Sequence, residues 1–230
     1  MSGAGVKKVG DYKKKIIKTI SEISGRYSPY EVYTDWIRCS ALSIANACRL
    51  RHDAIWKERE DDYIQTMLKY QEPERNRLRD MFYMLADALT EEISDVLGEI
   101  YMEAGMGSKY TGQFFTPFHL SELCARMALQ ETIRSFDGSM ISLNEPSTGG
   151  GGMIIAAVKV LRDVGINPQK YLRVVAQDLD WKGVYMTYVQ LSLLGIKAIV
   201  VQGDTLANPY TVKYPEERTL RTPAELGLLP

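Results

Sequence analysis

The feature that most constrains the fold is the alternation of apolar runs and helix-like segments between Gly112 and Leu206. One apolar run ends in a loop with four consecutive glycines, a second ends in Asp178, and a third ends in the segment 203–206. The spacing of apolar residues predicts strands over 140–144, 172–176 and 198–202 and helices over 119–132, 152–164 and 181–194. Strands that alternate with helices pair in parallel through right-handed crossovers. The sequence therefore predicts a doubly wound α/β domain with a glycine loop after its first strand.

The residues before this region have helical periodicity and almost no strand signal. Apolar residues at spacings of three and four predict helices over 12–23, 31–57 with a continuation or restart over 61–70, and 73–104. The last 24 residues hold four prolines and little apolar periodicity. We therefore predict a helical domain over 1–108, an α/β domain over 109–206 and an extended tail over 207–230.

Composition and charge exclude several classes of protein. The net charge of −1 gives no global basic field for nucleic acid, and the three scattered cysteines suggest neither a disulfide framework nor a zinc site. With only two histidines, we expect no metal site. No apolar stretch approaches the roughly 18 residues of a membrane helix, and no secretory signal follows the N-terminal lysines. We expect a cytoplasmic protein.

The glycine loop, Glu145 to Gly152, has the chemistry of a ligand site. Glycines let a ligand approach the main chain, and the amides at the start of the following helix attract a carboxylate or phosphate. Glu145 is a poor neighbour for a phosphate but suits an α-ammonium group. A ligand that carries both ammonium and carboxylate, such as a methionine moiety, therefore fits this loop better than a pyrophosphate. The alternative is a flexible turn.

Three aspartates follow the predicted second and third strands. Asp178 is positioned to accept hydrogen bonds from ribose hydroxyls, and Asp180 to cap the next helix. Asp204 could accept from an adenine amino group or belong to a turn. Trp181, directly after these acids, could flank an adenine ring or simply pack.

Together these motifs resemble the N6-adenine DNA methyltransferases of type I restriction-modification systems and their small phage or mobile-element homologues. Gly112-Gln113-Phe114-Phe115-Thr116-Pro117 is similar to the segment that wraps the methionine end of the cofactor, and Glu145-Pro146-Ser147-Thr148-Gly149-Gly150-Gly151 is similar to the cofactor loop. Gln177-Asp178 and Gly203-Asp204-Thr205-Leu206 resemble the ribose and adenine segments. The resemblance implies a Rossmann-like class I methyltransferase domain, S-adenosylmethionine as cofactor and DNA as partner. The implied cofactor-binding residues are Gln113, Phe115, Thr116, Pro117, Glu145, Pro146, Ser147, Gly149, Gly151, Asp178, Leu179 and Asp204.

The chain departs from that family at the catalytic motif. These enzymes carry Asn/Asp-Pro-Pro-Tyr/Phe after a fourth strand, where it holds the flipped target adenine. The nearest string here is Asn208-Pro209-Tyr210, which lacks one proline and follows Asp204 by only four residues. No later apolar run predicts the remaining strands, so either the sheet is truncated or a second subunit or copy completes it.

Two functions follow from this pattern. The first is a DNA adenine-N6 methyltransferase-like protein, with Asn208, Pro209 and Tyr210 as the candidate catalytic residues, which could also serve a different substrate class in an altered site. The second is a non-catalytic protein with the methyltransferase fold that acts as a binding or interaction subunit.

Overall fold

The computed structural model describes residues 8–107 and 114–229. In this part of the chain, six α-helices precede the first strand and three more lie between the strands. The first five are α1 Val9–Ile23, α2 Pro29–Ala47, α3 Ala54–Met67, α4 Glu72–Glu91 and α5 Val96–Glu103. The rest are α6 Phe118–Arg134, β1 Ile141–Glu145, α7 Gly152–Asp163, α8 Pro168–Tyr171, β2 Leu172–Asp178, α9 Trp181–Leu193, β3 Lys197–Gln202 and β4 Thr219–Arg221.

Two long helices predicted in the N-terminal part are wrong, because each is divided. The predicted helix 31–57 ends at Ala47, and α3 begins after Asp53, whose Oδ1 accepts the Trp56 amide proton (3.1 Å). The predicted helix 73–104 likewise ends at Glu91, and α5 begins after Asp95. Neither break contains glycine or proline. The local sign of each new helix is an aspartate, which is a favoured N-cap. The apolar spacing therefore runs through both breaks and hides them.

The sheet has the strand order β1-β2-β3-β4. β1, β2 and β3 are parallel, with Ile141 opposite Leu172 and Arg173 opposite Lys197, and β4 is antiparallel to β3. Helices α7 and α9 connect the three parallel strands. The predicted fold class, a helical N-terminal part with a mainly parallel α/β sheet, is confirmed. Within the described residues, β1 has a strand partner on one side only.

The tail is not only an extended arm, as predicted, because it contributes β4. Thr222, fully buried, locks this strand: its Oγ1 accepts from the Ala198 amide (3.0 Å) and donates to the Ile196 carbonyl (2.6 Å). Arg59 Nη2 of α3 donates to the Thr219 carbonyl oxygen (3.1 Å). A strand of three residues is too short to show alternating apolar periodicity, which explains why the sequence pattern missed it.

Buried apolar residues form one continuous cluster from Val9 in α1 to Leu220 in β4. It includes Trp36 from α2, Leu97 from α5 and Val174 from β2, so the helical part and the sheet share this core. The proposed division at residue 108 remains a prediction. No helix in the described ranges is long and apolar enough to cross a membrane.

Candidate cofactor site

The glycine loop lies where β1 ends and α7 begins. Gly149 has φ +54° and Gly151, the residue before α7, has φ +93°, both in the left-handed region that favours glycine. The Thr148 amide donates to the Gln177 carbonyl (2.9 Å), and the Gly151 amide donates to the Thr148 carbonyl (2.8 Å). The loop is therefore a tight turn anchored to the end of β2.

Close contacts also require small residues in this loop. A Cβ atom on Gly149 would lie 3.2 Å from two ring carbons of Phe115, and one on Gly151 would lie 3.1 Å from Thr187 Oγ1. In α9, a Cβ on Gly183 would lie 2.9 Å from the Gly149 carbonyl oxygen. Gly183 lets α9 approach the loop, a role that the sequence analysis missed because one glycine in a helical pattern carries no signal of its own.

Asp178, at the end of β2, holds the loop with its carboxylate. Its Oδ2 accepts the Gly149 amide proton (2.7 Å) and its Oδ1 accepts the Asp180 amide proton (2.9 Å). A carboxylate has about four lone-pair sites, so capacity remains for further donors such as hydroxyl groups. Asp180 Oδ1 accepts from the Lys182 amide (2.9 Å), which confirms Asp180 as the N-cap of α9.

A cavity of about 300 Å³ lies beside this loop. Of the predicted cofactor residues, the structure brings Phe115, Thr116, Ser147, Gly149 and Asp178 to its wall. The other described residues on the wall are Asp95, Phe114, Ser121, Thr148, Gly150, Gly152, Met153, Lys182 and Gly183. Gln113 lies outside the described residues. A cavity of this size is at the lower end of the range for small-molecule sites.

Six of the predicted cofactor residues do not line this cavity. They are Pro117, Glu145, Pro146, Gly151, Leu179 and Asp204. Glu145 Oε1 accepts from the Ser147 amide (3.3 Å), and burial, with a smaller contribution from the charge of Asp178, raises the pKa of the Glu145 carboxyl. Leu179 is exposed, and the Pro146 carbonyl accepts from Thr205 Oγ1 (2.6 Å).

The segment after β3 folds back on the end of β2. Asp204 Oδ1 accepts from the Leu206 amide (2.9 Å), a contact typical of the turn aspartate considered above. Gln177 Nε2 donates to the Asn208 carbonyl (2.9 Å), and Gln177 Oε1 accepts the Tyr210 amide proton (3.0 Å). Asn208, Pro209 and Tyr210 are therefore held near Gln177, and none of them is on the wall of the cavity.

Lys182 and Trp181 begin α9 and make different contacts, although both line a second cavity. Lys182, 7% exposed, donates from Nζ to the Tyr101 hydroxyl (3.2 Å) and lies 4.6 Å from that ring. Trp181 stacks on Tyr185 (centroids 5.1 Å apart, planes at 25°) and lines a separate cavity of about 510 Å³ with Arg38 and Arg59. Packing is therefore the observed role of Trp181.

Asp95, Ser121 and Lys182 also line the cavity, although no motif in the sequence marks them. Asp95 is buried, with 3% of its surface exposed, and precedes α5. Ser121 is fully buried in α6, and its Oγ has no hydrogen-bond partner among the described residues. An aspartate before an apolar helical run signals an N-cap, and only the packing of α5 and α6 against the glycine loop brings these residues to the cavity.

The model of the N-6 DNA methylase family matches residues 92–219, more than half of the chain, and the chain belongs to this family. It is a methyltransferase-like protein, and its cofactor is S-adenosylmethionine, as the resemblance implied. The cavity fits that cofactor, because it is lined by the Ser121 hydroxyl, which has no partner among the described residues, and by the carboxylates of Asp95 and Asp178, which accept the kinds of donor that an ammonium group and ribose hydroxyls supply.

Solved structures of low sequence identity are also similar to this chain. One is a protein from Listeria monocytogenes assigned to the class I S-adenosylmethionine-dependent methyltransferases (TM-score 0.48, 12% identity, 86% of this chain and 55% of that chain). Another is a type I restriction-modification system methyltransferase subunit from Streptococcus thermophilus (TM-score 0.49, 12% identity, 90% of this chain and 61% of that chain). The chain thus spans only 55% and 61% of their lengths. No curated protein matches it.

Proposed function

We propose that this chain uses its cofactor, S-adenosylmethionine, in adenine-N6 methylation of DNA, with DNA as its partner. The observation that carries the proposal is the cavity beside the glycine loop, walled by Phe115, Gly149 and Asp178 in a member of the N-6 DNA methylase family. We further propose that it is a cytoplasmic protein of a phage or mobile element, related to restriction-modification systems.

The residues of the cavity would hold and orient the cofactor, which supplies an activated methyl group on its sulfonium. Asp178 would accept hydrogen bonds from the ribose hydroxyls while its carboxylate keeps the loop in place through Gly149. Phe114, Phe115 and Thr116 would cover the bound molecule and exclude water. Transfer to an amine then depends mainly on placing the methyl group in line with the nitrogen.

A second candidate is a non-catalytic subunit of such a system. Residues 1–230 lack the Asn/Asp-Pro-Pro-Tyr/Phe motif, and β1 leaves one edge without a strand partner among the described residues. The outer face of α6 adds exposed Leu120, Leu123 and Met127 at helical spacing. An open strand edge and an apolar helix face both favour association, so a second subunit or copy that completes the sheet would suit this surface.

Calorimetry and a transfer assay separate the candidates. We expect micromolar binding when the protein is titrated with S-adenosylmethionine, with and without duplex DNA. The transfer assay then uses cofactor with a labelled methyl group on DNA, and DNA premethylated at adenine N6 is the control. Label on the unmodified DNA alone supports the enzyme, and binding without label supports the non-catalytic subunit. Absence of binding in every condition would contradict the enzyme and leave only a subunit that keeps the fold without the cofactor.

A further inference from the structure

Asp95 carries a buried carboxylate whose two oxygens have different surroundings. Oδ1 accepts the Gly98 amide proton (2.9 Å), which caps α5, and also accepts from Gln190 Nε2 of α9 (2.9 Å). Oδ2 accepts no hydrogen bond from any described residue. Only Oδ1 therefore makes the hydrogen bonds that join α5 to α9, and Oδ2 remains able to accept a hydrogen bond from a ligand.

The available oxygen faces the glycine loop. Asp95 Oδ2 lies 3.0 Å from the position that a Cβ on Gly152 would occupy, and 3.5 Å from the corresponding position on Gly150. Ser121 Oγ lies 3.7 Å from the same Gly152 position. Ser121 Oγ, which is buried and has no partner among the described residues, and Asp95 Oδ2 thus flank one small region of the cavity wall beside Gly152.

The chemistry of this region selects a cation with several N–H donors. A carboxylate only accepts hydrogen bonds, and a serine hydroxyl can accept as well as donate, whereas an ammonium group has three donors and no acceptor. Bonds between charged groups of this kind are stronger than neutral ones. Lys182 adds a buried cation to the same cavity, so its wall carries charges of both signs, as a zwitterionic amino acid requires.

We propose that Asp95, assisted by Ser121, binds the α-ammonium group of S-adenosylmethionine. This inference rests on the proposed function and gives to Asp95 a role for which the sequence had suggested Glu145. Glu145 does not line the cavity and accepts a hydrogen bond from the Ser147 amide. Asp95 does line the cavity, and its Oδ2 accepts no hydrogen bond from the described residues.

Binding should then depend on pH. Burial is the main reason that the pKa of Asp95 is raised to about 6, and the nearby charge of Glu99 raises it further, although the bonds from Gln190 and Gly98 lower it. The charge of Asp95 also contributes to the raised pKa of Tyr33 in α2, for which burial is the main cause, and Lys182 and Asp178 share the cavity wall with Asp95. Protonated Asp95 loses its charge, so affinity should fall as the pH drops from 7.5 to 5.

The test compares a ligand that carries the amino-acid end with one that lacks both its ammonium and its carboxylate. S-adenosylhomocysteine keeps the amino-acid end, and 5′-methylthioadenosine lacks it but keeps the nucleoside and sulfur. We expect Asp95→Asn to weaken binding of S-adenosylhomocysteine at least about tenfold at pH 7.5, which is about 1.4 kcal/mol. We expect it to change binding of 5′-methylthioadenosine less than twofold, and to remove the pH dependence. Asp80→Asn makes the same change from carboxylate to amide at an exposed position of α4 that does not line the cavity, so it is the matched control and should retain affinity for both ligands.

Ser121→Ala keeps the test decisive if Asp95→Asn fails to fold, because the Ser121 hydroxyl makes no hydrogen bond within the described residues. We expect it to weaken only the ligand that has the ammonium group. Asp95→Asn that binds S-adenosylhomocysteine like the wild type, or that loses both ligands equally, would overturn the assignment while cofactor binding stands. A wild-type protein that binds neither ligand would overturn the proposed function as well.

Discussion

At Gly149 both the backbone conformation and a neighbouring side chain favour glycine over any residue with a Cβ atom. Its φ is +54°, and a Cβ would lie 3.2 Å from the ring of Phe115. An L-residue in the left-handed region costs about 1–2 kcal/mol. Any side chain there would also push against Phe115, which forms part of the cavity wall.

We therefore predict that Gly149→Val weakens binding of S-adenosylmethionine at least about tenfold, while far-UV circular dichroism stays near wild type. Calorimetry checks the affinity. The matched control is Gly138→Val, because Gly138 also has a positive φ (+92°) but no atom within 4 Å of its Cβ position. Both variants should lose stability, but only the first should lose the cofactor. Equal affinity in the two would mean that the loop is only a turn.

Single residues also show how far the sequence can predict the site. The glycine loop and Asp178 were identified because they follow predicted strands at recognisable spacing. Asp95 and Ser121 could not be identified in the same way, because Asp95 caps α5 and Ser121 lies on α6, where nothing local distinguishes a cavity residue from a cap or a core residue. Their position depends on packing between elements far apart in sequence.

The pairing of β4 with β3 is continued by a side chain, which makes hydrogen bonds in the place of backbone groups. Thr222 Oγ1 bonds both the Ala198 amide and the Ile196 carbonyl, just beyond the three residue pairs that β4 makes with β3. The side chain is fully buried, so these backbone groups have no access to solvent. One hydroxyl therefore fixes where the tail joins the sheet.

We predict that Thr222→Val destabilises the protein by about 1–3 kcal/mol, because valine keeps the shape but leaves the buried Ala198 amide without an acceptor. Urea denaturation measures the free energy of unfolding. Thr211→Val is the matched control, since Thr211 is exposed and should change stability by less than about 0.5 kcal/mol. Equal effects of the two substitutions would count against the role of the hydroxyl.

The elements divide sharply into those that the sequence predicts and those that it does not. The three parallel strands and the helices between them were confirmed, because long apolar runs and glycine breaks mark them. The breaks before α3 and α5 were missed because aspartate caps interrupt the backbone without interrupting the apolar spacing. β4 was missed because Leu220 is its only buried apolar side chain.

At the scale of the whole molecule, one core joins the helices to the sheet. Trp36 in α2 and Leu220 in β4 belong to the same buried cluster. Contacts across such a core make its parts depend on each other for stability. The proposed division at residue 108 can be tested through this dependence.

We predict that the helical part and the sheet unfold in one transition. A variant with only Trp36 (Trp56→Phe, Trp181→Phe) and a variant with only Trp181 (Trp36→Phe, Trp56→Phe) report on α2 and α9 separately. Their fluorescence midpoints in urea should each coincide with the far-UV circular dichroism midpoint of the same variant. Two separated transitions within one variant would instead show independently folding domains on either side of residue 108.

The position of β4 late in the chain has a consequence for folding during protein synthesis. Arg59 bonds the Thr219 carbonyl across 160 positions of the chain, and β4 covers an edge of β3. During translation, β3 leaves the ribosome before the residues that cover it. Until they arrive, the nascent chain exposes an open strand edge, which is a template for aggregation. Slow translation of the segment 203–221 would prolong that exposure, so the yield of folded protein should depend on the codons used there.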